Sequence, residues 1–263
     1  MLGQDGRHGL RAALVVHRVA RDMSTNMETI KAALDKAASH GADLVLFPEA
    51  ALTGLTNNDE PSHDLPLGQT IPGPATDTLC DLCSKRGIWL AMGLLERDGD
   101  RLYDSAVLID PHGKIQLKYR RISPGWHGKG ADPLVYCQGK ELRKVETSLG
   151  SFAFLICGDL FDDSIVARLR DVGPDWLLFP FERCFGRDGS DTDARIRWGK
   201  EEREQYVDRA KLAGTTTLMA NALSDADTQS SNFGGAMVVG ADGFVIDSLP
   251  LYESGILYVE LQR

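Results

Sequence analysis

Ten short apolar runs, separated by helical patterns and turn residues, constrain the fold more than any other feature of this sequence. They are AALVV (12–16), DLVLF (43–47), IWLAMGLL (88–95), AVLID (106–110), KIQLK (114–118), FAFLIC (152–157), DWLLFP (175–180), TTTLMAN (215–221), GAMVVG (235–240) and GILYVEL (255–261). Runs of this length and composition read as strands, and ten are too many for one small sheet. Helices are predicted over 25–40, 75–86, 162–171 and 195–213. The first has Thr25 or Asn26 as its cap, an apolar stripe at 27, 30, 33, 34 and 37, and a stop near Gly41. The turns DPHGK (110–114) and ADGF (241–244) each join two apolar runs as hairpins. The expected class is a layered α/β protein.

Residues 56–74 and 121–140, rich in Pro, Gly, Asn and His, read as long loops within one domain, and loops of that length often carry function. The chain is read as a single domain over 1–263, with residues 1–10 as an N-terminal extension. Its formal charge of −9 argues against a nucleic-acid surface, which needs clustered Lys and Arg. No apolar run is long enough to span a bilayer, and the opening MLGQDGRHGL lacks a secretory h-region, so a cytoplasmic protein is expected. Five cysteines, an odd number, read as free thiols.

Three chemically capable residues stand at strand ends. Glu49 follows DLVLFP, Lys118 closes KIQLK, and Cys157 closes FAFLIC. Strand ends far apart in sequence commonly meet at the sites of layered α/β folds. Together the three types suit acyl transfer. A thiolate attacks a carbonyl or nitrile carbon, a carboxylate moves the proton, and a cation offsets the oxyanion. The backbone N–H of Gly158 is a second candidate oxyanion donor. Each residue also has an ordinary structural reading, Cys157 as a small core residue, Glu49 as a loop cap and Lys118 as part of the solvated run KYRR; spacing alone does not choose between them.

The segments GADLVLFPEAALTG (41–54), KYRRISPG (118–125) and SFAFLICGDLFDD (151–163) resemble the three signature segments of the carbon-nitrogen hydrolase, or nitrilase, superfamily. LYDSAVLIDPHGKI (102–115), YVDRAKLAGTTTLMAN (206–221) and NFGGAMVVGADGFVI (232–246) resemble the segments between and after them, so the likeness runs from about 11 to 260. The resemblance implies a four-layer αββα sandwich of the nitrilase type and a Glu49, Lys118, Cys157 triad. It implies metal-free and cofactor-free hydrolysis of a non-peptide carbon-nitrogen bond through a thioester. It also implies a homodimer acting on a small amide or carbamoyl substrate, with nitrile hydrolysis, or a non-catalytic interaction protein on the same fold, as the alternatives.

The chain departs from that pattern in places. Gly158 stands where many relatives have an aromatic residue or Asn. Leu160 and Phe161 occupy positions where relatives that bind amino-acid carboxylates often have Arg. The loop 122–139 lacks the second glutamate of many amidases, for which His127 and Asp132 are candidate substitutes. Trp126, Glu182 and Arg183 are further candidates for substrate binding, with Cys184 as a nearby thiol and Phe185 as a wall. Asp159 reads as an acid that fixes the turn after the cysteine. The spacing CDLC (80–83) is metal-like, but no second Cys or His pair follows it. A Mg²⁺ phosphodiesterase built on Glu49 and Asp159 lacks a late histidine base.

Overall fold

Alternation along each strand sorts its side chains between two layers. The structure, a computed structural model, describes residues 9–184, 195–224 and 232–263. In β1 (Leu10–Val16), Leu10, Ala12, Leu14 and Val16 enter one apolar cluster while Ala13 and Val15 enter another. The same split recurs in β3 (Leu44–Leu46), β4 (Trp89–Asp98) and β5 (Arg101–Ile109). Leu44, Leu46, Trp89, Ala91, Ala106 and Leu108 face one way, and Val45, Leu90, Met92, Val107 and Ile109 the other. A period of two with both faces apolar marks strands covered on both sides.

With β6 (Ile115–Arg120) and β14 (Gly255–Leu261), these strands form a six-stranded sheet in the order β14-β1-β3-β4-β5-β6. One face packs on α1 (Met23–Ser39) and, past the short α2 (Pro61–Asp64), on α3 (Pro74–Arg86), and Ile30, Leu34, Leu79 and Leu82 of α1 and α3 join Val45 and Leu90. Each such fully buried Leu or Ile stabilises the fold by about 1.5–3 kcal/mol. The other face packs on a second six-stranded sheet, β13 (Val245–Leu249), β12 (Ala236–Val239), β10 (Thr216–Asn221), β9 (Trp176–Phe181), β8 (Gly150–Phe154) and β7 (Val145–Thr147), in that order. That sheet carries α4 (Asp163–Val172) and α5 (Arg203–Ala213), with Ile165, Leu169, Tyr206 and Ala210 in the shared core. The layering is α/β/β/α, as the resemblance implied. A two-stranded parallel ribbon of β2 (Arg18–Val19) and β11 (Leu223–Ser224) ties the two halves together.

Three expectations are corrected. The first helix begins at Met23, because the Asp22 carboxylate accepts the Thr25 N–H at 2.9 Å and caps the helix earlier than Thr25 or Asn26 would. The strand before the cysteine ends at Phe154, and Cys157 opens a 3₁₀ turn, Cys157–Phe161, instead of closing a strand. Leu10 pairs with Leu261 as the first residue of β1, so strand structure begins inside the expected extension; residues 1–8 lie outside the described residues. Among the described residues no helix is long and apolar enough to cross a membrane.

Candidate active site

Four strands deliver their C-terminal ends to one place. Glu49 follows β3, Arg121 follows β6, Cys157 follows β8 and Glu182 follows β9. Glu49 arrives on a tight turn: Ala50 has φ +46, and a Cβ at Gly93 of the neighbouring strand would lie 2.6 Å from the Glu49 Cα. Glycine at 93 is therefore what lets the glutamate backbone lie against the sheet. Cys157 is itself left-handed, with φ +44. Such a conformation costs about 1–3 kcal/mol in a residue with a side chain and persists where the surroundings enforce it.

Asp159 does the enforcing. Its Oδ2 accepts the Ile156 N–H at 3.0 Å and the Tyr119 hydroxyl at 2.7 Å; its Oδ1 accepts the Ser123 N–H at 2.6 Å and the Ile122 N–H at 3.1 Å. One buried carboxylate thus fastens the cysteine turn of the second sheet to the segment leaving β6 of the first. The acid expected to fix a local turn also joins the two sheets.

The cation beside the glutamate is Arg121, not Lys118. Arg121 Nη1 donates to Glu49 Oε1 at 2.9 Å, and Asp104 Oδ2 lies 3.4 Å from the same nitrogen. Arg121 Nε donates to Ser123 Oγ at 3.1 Å, and the whole side chain is 5% exposed. The Lys118 ammonium instead donates to Glu96 Oε1 at 2.8 Å, alongside Arg120, whose guanidinium lies 3.6 Å over the Tyr103 ring. The reason is strand alternation. Leu117 and Tyr119 point between the sheets, and the Arg121 N–H still pairs with the Asp104 carbonyl at 2.8 Å, so residue 121 points inward. Lys118 and Arg120 take the opposite face. Lys118→Met is accordingly expected to leave amide turnover within about threefold of wild type, since Arg120 still pairs with Glu96. A loss of about a hundredfold in steady-state kinetics would restore Lys118 to the site.

The electrostatics are those of several acids sharing one cation. Burial raises Glu49 above its ordinary range, against the pull of Arg121. Burial and the charge of Glu49 drive Asp104 much higher. Against the cost of its burial, Arg121 remains a cation, raised by the charge of Glu49. Burial and Glu49 hold the Cys157 thiol well above its usual value, with Arg121 opposing them. The resting centre is therefore a thiol, a glutamate poised to take a proton, and a permanent cation.

Glu182 also belongs to this centre. The Cys157 thiol points at its backbone carbonyl, 3.6 Å away, and its own carboxyl accepts the Asn232 Nδ2 at 2.7 Å. Burial pushes it up to about 7 from 4.5. Between those values the native state holds a proton that the unfolded chain has released, so this group makes stability fall as pH rises through that window. Glu182→Gln, which keeps an acceptor for Asn232, is expected to flatten the dependence of the urea midpoint on pH there. An unchanged slope would mean that Glu182 ionises normally.

The other predicted residues are not drawn in. Arg183 turns away into a two-pronged pair with Glu202, at 2.9 and 2.7 Å. Asp132 is exposed and accepts the Leu134 N–H at 2.9 Å. His127 spends its ring nitrogens on the Gly128 carbonyl and Gln138. Trp126 packs in a small separate cluster with Leu95, Leu102 and Tyr136. Loops rich in Gly and Pro gave no periodicity from which to read these directions. Cys80 and Cys83 of CDLC lie on α3, with Cys83 in the helix-facing core. Phe185 lies outside the described residues.

A cysteine on an enforced left-handed turn, backed by a glutamate and a buried cation between two sheets, defines a thiol-centred layered α/β site. The carbon-nitrogen hydrolase sequence model matches residues 11–263, and the chain belongs to that family. A formamidase of Bacillus cereus (strain Q1) is 35% identical over 91 residues, 34% of this chain and 27% of the formamidase, so the match spans about a quarter of that relative's length. A nitrilase-superfamily amidase from Nesterenkonia AN1 superposes with a TM-score of 0.77 at 24% identity, over 100% of this chain and 94% of that one. A carbon-nitrogen hydrolase from Helicobacter pylori G27 superposes with a TM-score of 0.79 at 19% identity, over 97% and 90%. These likenesses establish the fold. Structures of the Nesterenkonia amidase carry acrylamide or butyramide, and one variant carries the acetamide moiety of fluoroacetamide on its active site cysteine.

Proposed function

We propose that the protein hydrolyses the carbon-nitrogen bond of small amides through a thioester on Cys157, with Glu49 as general base and acid and Arg121 as the cation. The observation that carries this reading is the 2.9 Å contact of Arg121 with Glu49 at the turn that presents Cys157. Because the thiol is held protonated, its proton passes to Glu49 as sulfur bonds to the amide carbon. The carbonyl π electrons move onto oxygen, and in this reading Arg121 and the Gly158 N–H offset the developing charge. Collapse of the intermediate breaks the C–N bond, and protonated Glu49 returns its proton to the departing amine. Water then attacks the thioester with Glu49 again as base, releasing a carboxylic acid and the thiol. The raised affinity of Glu49 for a proton suits both halves of the cycle.

Short aliphatic amides fit this reading, as the Nesterenkonia amidase binds acrylamide and butyramide. The test is ammonia release from formamide, acetamide, acrylamide and butyramide, with a carbamoyl amino acid and an aliphatic nitrile as comparison arms. Turnover of one or more of the four amides, faster than either comparison, is the expected result. If nothing is turned over and Cys157 is alkylated no faster than Cys80 or Cys137, the enzymatic reading fails.

A further inference from the structure

Gly158 does not sit in left-handed backbone, so its conformation does not call for glycine. Space does. A Cβ built there would lie 2.6 Å from Arg121 Nη2 and 2.9 Å from Ser123 Oγ, closer than real Cβ atoms approach. The guanidinium cannot step aside cheaply, and turning the Ser123 hydroxyl away gives up its bond from Arg121 Nε. The guanidinium is tied through Nη1 to Glu49 and through Nε to Ser123, and Ser123 is tied through its N–H to Asp159 at 2.6 Å. Among the described residues, the hydrogen bond of Arg121 Nη2 is a 3.4 Å contact with the Pro124 carbonyl, and the nitrogen borders the residue next to the nucleophile.

From this we propose that Gly158 is a positioning residue for Arg121. Its absent side chain leaves the room that the outer arm of the guanidinium fills between Glu49 and the cysteine turn, so residues 121 and 158 act as one steric unit. The proposal rests on the reading of Arg121 as the cation of the site. A methyl group at 158 drives the fork off Glu49 or displaces the turn that carries Cys157, since a close-packed interior accommodates an added carbon only by moving its neighbours. A lysine at 121 has no outer arm. It leaves a gap there about the size of a methyl group, which an alanine at 158 would occupy. The effect of Gly158→Ala should therefore change with the residue at 121.

The test is a double-mutant cycle with Gly158→Ala, Arg121→Lys and the double variant. It is read in kcat and KM for the best amide, in the alkylation rate of Cys157 by iodoacetamide, and in melting temperature. Gly158→Ala in the wild-type background is expected to lower kcat by about thirtyfold or more with a smaller change in KM; in the Arg121→Lys background it is expected to change kcat by less than about threefold, or to raise it. Should Gly158→Ala fail to fold alone, recovery of a cooperative melt in the double variant is the same result. Equal losses in both backgrounds, or no loss in the first, would overturn the coupling. If no amide is turned over, the reading of function fails by itself, and the alkylation and melting cycles still decide whether 121 and 158 are coupled.

Discussion

Cys157→Ala is expected to reduce amide hydrolysis below about one hundredth of the wild-type rate while leaving the fold intact. The covalent route needs the sulfur, and neither Glu49 nor Arg121 supplies a nucleophile that replaces it. The fold should survive because the change deletes a single heavy atom at a partly exposed position, while the left-handed turn is held by Asp159 through bonds that do not involve sulfur. Kinetics and melting temperature measured on one preparation separate the two effects. Residual activity above a hundredth, in a protein that melts normally, would mean that hydrolysis proceeds without a thioester.

Arg121→Met should damage activity and stability together. It leaves Glu49 and Asp104, at 0% and 1% exposed, without the cation they share. Removing one partner of a buried ion pair costs about 3–5 kcal/mol, because the remaining charge is stranded in a poorly solvating interior. The sign of the pH dependence follows. Without the guanidinium both carboxyls bind protons more tightly in the native state than in the unfolded one, so the variant regains stability as pH falls. Its deficit in denaturant midpoint relative to wild type should be larger near about pH 8 than near about pH 5. A deficit that is small, or independent of pH, would mean that the two acids are satisfied without Arg121.

The sandwich was legible because its strands are short, apolar and regularly interrupted, and because both faces of β1, β3, β4 and β5 are covered. Glu49 and Cys157 were legible as reactive types at the ends of such runs. The cation was misplaced by three residues although the signal was there: in KIQLKYRR, taking Leu117 and Tyr119 as inward sends Arg121 inward and Lys118 outward. What hid this was the extent of the strand, whose pairing with Asp104 carries on to Arg121. Asp104 was missed because an acid inside a strand otherwise reads as surface; only the tertiary structure brings it to the same guanidinium as Glu49. Gly158 was visible as a departure, but its cause is a contact with a side chain 37 positions away in sequence, which no local pattern encodes. The candidates at 126, 127, 132 and 183 failed to converge for the same reason: their directions depend on loop packing and ion pairs, such as that of Arg183 with Glu202.

The central claim is that acyl transfer passes through Cys157 with Arg121, not Lys118, as the cation. It is tested most directly by rapid-quench peptide mass spectrometry during turnover of the best amide. An acyl group is expected on the peptide bearing Cys157, formed at the wild-type rate in Lys118→Met and lost in Arg121→Met. Turnover with no acyl group on that peptide, or acylation that survives loss of Arg121 and fails on loss of Lys118, would contradict it.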